Sequence, residues 1–139
     1  MKHATTLQDG LAAGAVAAVL SGAPSTLHAI VTRSSPVEAT LAAGTLLLPH
    51  EDRAVRLALA AVPVHIGLSL GWAVLLAAVL PRRRTVAWAT LAGLAISALD
   101  IGVIGRRYPR IRALAQMPQV LDHVAYGAVV GAVLRRRRR

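Results

Sequence analysis

Five residues of this 139-residue chain have side chains able to hold a proton, a cation or a polar ligand while standing in apolar surroundings: His28, His65, Asp100, Asp122 and His123. Imidazole changes charge near neutral pH, and a carboxylate supplies the complementary charge. Such pairs can relay a proton, bind a cation or act as acid and base. Asp122 and His123 are adjacent in "PQVLDHVAYGAVVGAVLRRRRR", where eleven uncharged residues precede five arginines. A charge inside hydrocarbon is costly, so an Asp or His there is a functional candidate whose partner must be named. For Asp100 the partner is His65 or His123. Arg107, seven residues on, is the alternative, because it can reach back along the same face.

Helical spacing groups these residues with other polar or small side chains. Ser21, Ser25 and His28 share one face, as do His65, Ser69 and Trp72. Gly93, Ser97 and Asp100 share a third face. His123 shares a fourth with Gly127 and Gly131, while Asp122 and Tyr126 lie on the adjacent one. By helical rise the five ionisable groups fall in one slab roughly 10–15 Å thick, in one half of the apolar segments. The expectation is a buried His/Asp layer serving packing or the binding of a small ligand, proton or cation. Ser21, Ser25, Ser69, Ser97 and Tyr126 would support it.

Other chemistry is weaker in the sequence. Three His and two Asp would suit Zn or a similar ion, but they are scattered and show no HxxxH or HxxE spacing. Cysteine is absent, which excludes disulfides, thiolate sites and Cys nucleophiles. No nucleophile elbow, Walker loop or dinucleotide fingerprint occurs. The sequence therefore assigns no catalytic residue, metal or cofactor, and it leans to a non-enzymatic role. Two alternatives stand beside it. One is a membrane-embedded enzyme using a His–Asp acid/base pair on a lipid or isoprenoid. The other is an accessory subunit of a larger membrane complex.

The elements that position these residues are long and apolar. Hydrophobic residues make up 55% of the chain and charged ones 16%, against about 25% charged in ordinary globular chains. About 20 apolar residues cross a bilayer. Four segments qualify: Gly10 to Thr32, Leu57 to Leu80, Thr85 to Gly105 and Pro118 to Leu134. The expected fold is an all-α integral membrane four-helix bundle, one transmembrane domain over 1–139. Between the first two spans, Ser35, Pro36 and Glu38 read as a capping box. They open a short interfacial or re-entrant helix over 36–48. The first span is too long for a signal-peptide core and is read as retained. Pro24 and Pro63 are expected to kink their helices.

Small residues recur four apart: Gly10, Gly14, Ala18 and Gly22; Gly67 and Gly71; Ala89, Gly93 and Ser97; Gly127 and Gly131. Such seams let backbones approach closely, within a monomer or across a homo-oligomer. Lys2, Arg82 to Arg84 and Arg135 to Arg139 lie on one side of a four-span topology. Arg33, Arg53, Arg56, Arg106, Arg107, Arg110 and Arg112 lie on the other, in longer loops with Glu38, Glu51 and Asp52. The balance places both termini in the cytoplasm. The tail at Arg135–Arg139 reads as an inside anchor that contacts anionic lipid headgroups. The partners expected are thus the lipid bilayer and its headgroups, and not nucleic acid.

"SGAPSTLHA", "AISALDIGVIGRRYPRIRAL" and "PQVLDHVAYGAVVG" resemble the small four-helix integral membrane proteins of actinobacteria, an uncharacterised group with no assigned activity. The resemblance covers most of the chain and implies a plasma-membrane location.

Overall fold

A computed structural model describes residues 2–139, with side chains from residue 6 onward. Lys2, counted above for orientation, falls outside the described side chains, and Met1 outside the described residues. Among the described residues the chain is helical, with no strand. Its helices are α1 (Lys2–Leu20), α2 (Ala23–Val31), α3 (Glu38–Gly44), α4 (Ala54–Val79), α5 (Thr85–Leu99), α6 (Pro109–Arg112) and α7 (Gln116–Arg137). A π-helical turn (Asp100–Ile104) and a 3₁₀ turn (Gly105–Arg107) continue α5. Four segments are long and apolar enough to cross a membrane: Thr6–Val31, Ala54–Val79, Thr85–Arg107 and Gln116–Arg137.

The helices form two tight pairs, α1 with α4 and α5 with α7, and the pairs meet where α1 and α2 pack on α7. Ala13, Ala17, Ala73, Leu76, Ala77, Ile96, Tyr126, Val130 and Leu134 make the core. Alanine and glycine dominate the contact faces because backbone approach, not side-chain bulk, holds these helices together. A Cβ on Gly14 would come within 2.8 Å of the Ser69 carbonyl oxygen. One on Gly93 would overlap the His123 carbonyl, and one on Gly127 the Ala89 carbonyl. The seams of α1, α5 and α7 are thus used inside the molecule. Gly67 and Gly71 of α4 are exposed, and a Cβ on either would meet nothing within 4 Å. Gly22 likewise packs on nothing.

Local structure departs from expectation at three places. The first span is two helices, not one kinked helix. It breaks at Ser21 and Gly22, and Pro24 occupies the first turn of α2, where its missing N–H costs nothing. Pro63, in contrast, sits inside an unbroken α4. The capping box does not form: Val37 is the N-cap of α3, and the Glu38 carboxylate pairs with Arg110 instead. The short helix is Glu38–Gly44 rather than 36–48, and it packs against α4, with Leu41, Ala42 and Gly44 buried.

Candidate functional site

A break inside an apolar helix leaves backbone carbonyls at the end of the first piece and amides at the start of the second. The broken ends also carry the partial charges of the helix dipoles, negative behind and positive ahead. Two side chains from other helices meet this need. The Nε2 of His65, on α4, lies 2.8 Å from the Ala18 carbonyl in the last turn of α1. The Asp122 carboxylate, on α7, accepts a 2.9 Å hydrogen bond from the Ser25 N–H in the first turn of α2. A donor faces the negative end and a carboxylate the positive end. Ser25 Oγ closes the turn locally on the Gly22 carbonyl at 3.3 Å.

The second interruption lies in α5. At Asp100 the ladder widens: Gly105 N–H bonds to the Asp100 carbonyl, five residues back. π-turns of this kind are often found at functional sites. Asp100 Oδ2 lies 3.4 Å from His123 Nε2 on α7. The other ring nitrogen, Nδ1, lies 2.8 Å from the Gln119 carbonyl. A carbonyl only accepts, so Nδ1 carries a hydrogen. A neutral ring would then turn an Nε2 lone pair toward the carboxylate. The contact is therefore a hydrogen bond only when a hydrogen lies between Nε2 and Oδ2.

His28 is exposed on α2 and belongs to neither arrangement. It lines a cleft of about 310 Å³ between α2, the 33–38 link, α3 and the start of α7. Ser25, Thr32, Ser34, Glu38 and Gln119 give this cleft its polar atoms. Ser25 joins its floor to Asp122, and the Gln119 carbonyl joins it to His123. The rim is fixed from two directions. Arg33, at φ 55°, ends α2 in a left-handed residue, with Ser34 N–H on the Ala29 carbonyl and Arg33 N–H on that of Ile30. Arg110 donates through Nε and a terminal nitrogen to the two Glu38 oxygens, at 2.5 and 3.2 Å. That hydrogen bond, with the charge attraction behind it, holds the Glu38 carboxyl below its ordinary value despite some desolvation.

The predicted site residues are not one buried layer. His28 and His65 are exposed, and Asp100, Asp122 and His123 are partly exposed. They sort into a helix-break pair (His65 and Asp122), a carboxyl–imidazole pair (Asp100 and His123) and one cleft wall (His28). Depth along a helix follows from residue number, but direction around the bundle does not. Because α4 and α5 belong to different pairs, His65 turns to α1 and leaves Asp100 to His123, not to Arg107. Among the supporting residues, Ser21, Ser69, Ser97 and Tyr126 are buried and Ser25 is partly so. Tyr126 Oη donates to the Ser69 carbonyl at 2.5 Å, and Ser97 Oγ to that of Leu94 at 2.7 Å. Among the described residues, no three His, Asp or Glu side chains converge as a metal site would require.

Gln119, Thr32 and the Glu38–Arg110 pair were not singled out by sequence reasoning. Gln119 stands one helical turn before His123, so helical spacing was signal enough. No local pattern connects Glu38 with Arg110. Comparison with protein-family models, with curated proteins and with solved structures gives no match for this chain.

Proposed function

We propose that this chain is a non-enzymatic plasma-membrane protein that crosses the bilayer four times and binds a small polar solute or lipid headgroup in the cleft beside α2. Four apolar segments of sufficient length support the membrane reading. So do the large apolar side chains they expose, such as Val19, Leu59, Val62, Trp88 and Leu91. The termini and the Arg82–Arg84 loop lie on the cytoplasmic side, and the cleft lies on the outer side.

The observation that carries the binding reading is the cleft itself, walled by Ser25, His28, Thr32 and Gln119 at the end of an interrupted helix. Half-helices of this kind line ligand sites in membrane transporters. Asp100 and His123 are not among its lining residues, which argues against acid–base catalysis there. Native mass spectrometry of detergent-extracted protein tests the assignment. Wild type should retain a polar-headgroup lipid or solute that Ala39→Trp, which fills the cleft, loses. Equal retention by both would remove the cleft from consideration.

A second reading rests on the 3.4 Å contact between Asp100 and His123. In this reading the pair takes up and releases a proton as the π-turn rearranges. Proteoliposomes should then show a proton flux that disappears in Asp100→Asn. A flux of equal size in both would end it.

A further inference from the structure

The opposite end of the molecule, where α7 ends in the arginine tail, is built differently. Arg138 folds back onto the end of α4 and donates to the carbonyls of Ala77 and, at 3.2 Å, Leu80. These carbonyls lie in the last turn of α4 and at its C-cap, where no intrahelical N–H remains to satisfy them. Arg137 donates to Asp9 of α1 at 2.7 Å. The tail is therefore clamped to α1 and α4 rather than trailing free. The clamp brings it beside the Arg82–Arg84 loop, since the Leu80 carbonyl it holds lies two residues before Arg82; burial, and after it the like charge of Arg82, lower the Arg138 pKa against the pull of Asp9.

The result is a single surface made from two distant stretches. Arg82, Arg83 and Arg84 of the loop and Arg135, Arg136 and Arg139 of the tail are all exposed. Among the described residues none of these six forms a salt bridge. Asp9, the acid at this end, is occupied by Arg137. Arg84 is held at φ 55°, a left-handed conformation that Arg adopts at a cost. Guanidinium groups bind phosphate oxygens in a fork and stay charged at any physiological pH. Arginines gathered at the end of a membrane-spanning bundle lie at headgroup depth.

We infer that residues 82–84 and 135–139, joined by the Arg138 clamp, form one composite site for the phosphodiester headgroups of anionic lipids. A lipid carrying two phosphates can bridge the loop and the tail, whereas a zwitterionic lipid brings a cation to an already cationic surface and is disfavoured. This inference rests on the membrane reading above. Carbonate washing of isolated membranes tests that reading separately, since an embedded chain stays in the pellet whether or not it selects lipids.

Binding is read by titrating detergent-solubilised protein with cardiolipin, phosphatidylglycerol, phosphatidylcholine or inorganic phosphate. The signal is retained lipid in native mass spectra and the shift in melting temperature. Cardiolipin should bind tightest and phosphatidylglycerol next, with phosphatidylcholine and inorganic phosphate without effect. R82Q/R83Q/R84Q and R135Q/R136Q/R139Q should each weaken cardiolipin binding roughly tenfold or more. The corresponding triple lysine variants should keep most of it, which separates loss of charge from loss of fold. Wild-type affinity in either glutamine variant would overturn the composite site. Equal binding of phosphatidylcholine or of free phosphate would overturn the headgroup assignment.

Discussion

Two interrupted helices pack on α7 in this protein and solve the same problem in opposite ways. In the first span the ladder is cut outright between α1 and α2, and side chains from α4 and α7 are recruited to the loose ends. In the third span the ladder only widens into a π-turn, and Gly105 N–H still reaches a carbonyl on its own helix. The first solution commits its ionisable groups: Asp122 and His65 are hydrogen-bonded to backbone and have structural work. The second leaves Asp100 with no backbone duty, so its carboxylate can face a titratable partner, His123. A polar residue near a helix break is thus not one kind of thing. Its role depends on whether the break has left a backbone group unsatisfied.

The largest effect should come from prying the second region apart. Gly93→Leu places a side chain where the His123 carbonyl already lies. It should cost about 3 kcal/mol or more, seen as loss of cooperative unfolding in detergent. Gly71→Leu, on the open face of α4, is the control and should change little. Equal damage from both would mean that the α5/α7 seam is not the one holding the structure.

Next in size is the cap on the first break. Asp122→Ala removes the acceptor of the Ser25 N–H and should cost about 1–2 kcal/mol. Asp122→Asn should recover most of that, because an amide oxygen also accepts. A loss under a few tenths of a kcal/mol for Asp122→Ala would show that water caps α2 equally well, and the contrast between the two breaks would disappear.

The Glu38–Arg110 pair ties α3 to α6, the short helices that follow the two breaks. Glu38 is held below its ordinary 4.5 chiefly by the Arg110 hydrogen bond. A depressed folded-state value means that its contribution is complete above pH 4.5 and is lost as the pH falls through the lowered one. Both side chains are about a third or more exposed, so the contribution is about 0.5–1 kcal/mol. Arg110→Ala should reduce stability at pH 7 by this amount and flatten its decline below pH 4.5. An unchanged acid limb would sever the link between the two connections.

Smallest in stability is Asp100→Asn. No backbone group loses a partner, so unfolding should shift by less than about 0.5 kcal/mol. Its readout is the His123 ring. In wild type, ¹⁵N spectra should show Nδ1 bearing a hydrogen and Nε2 perturbed by the nearby carboxyl. In Asp100→Asn the Nδ1 signal should stay and the Nε2 signal should move. An unmoved Nε2 signal in Asp100→Asn would separate His123 from Asp100.

The four long apolar segments were legible residue by residue, since length and hydropathy are local properties. The boundaries slipped where ends are decided by contacts. α7 runs from Gln116 to Arg137 rather than 118 to 134, extended at its C-terminal end by arginines suited to the negative pole of a helix. Pro24 was legible as a disturbance but not as a break, because that outcome required Asp122, 98 positions away, to stand at the new N-terminus. The glycine seams were legible as a set. Their division into packed (Gly14, Gly93, Gly127, Gly131) and open (Gly67, Gly71) was not, because a glycine carries no mark of which helix will approach it.

The sequence by itself determined four apolar helices, the level at which each ionisable group sits along its helix, and the gathering of arginines at the ends. These follow from rise per residue and from the local runs of apolar side chains. Only the tertiary structure decided that His65 serves α1 and Asp122 serves α2, that Asp100 meets His123, and that a clamped tail lies against the Arg82–Arg84 loop. Each of those depends on the rotation of one helix against another. Rotation is fixed by which small residues let two backbones touch, and no stretch of a single helix contains that information.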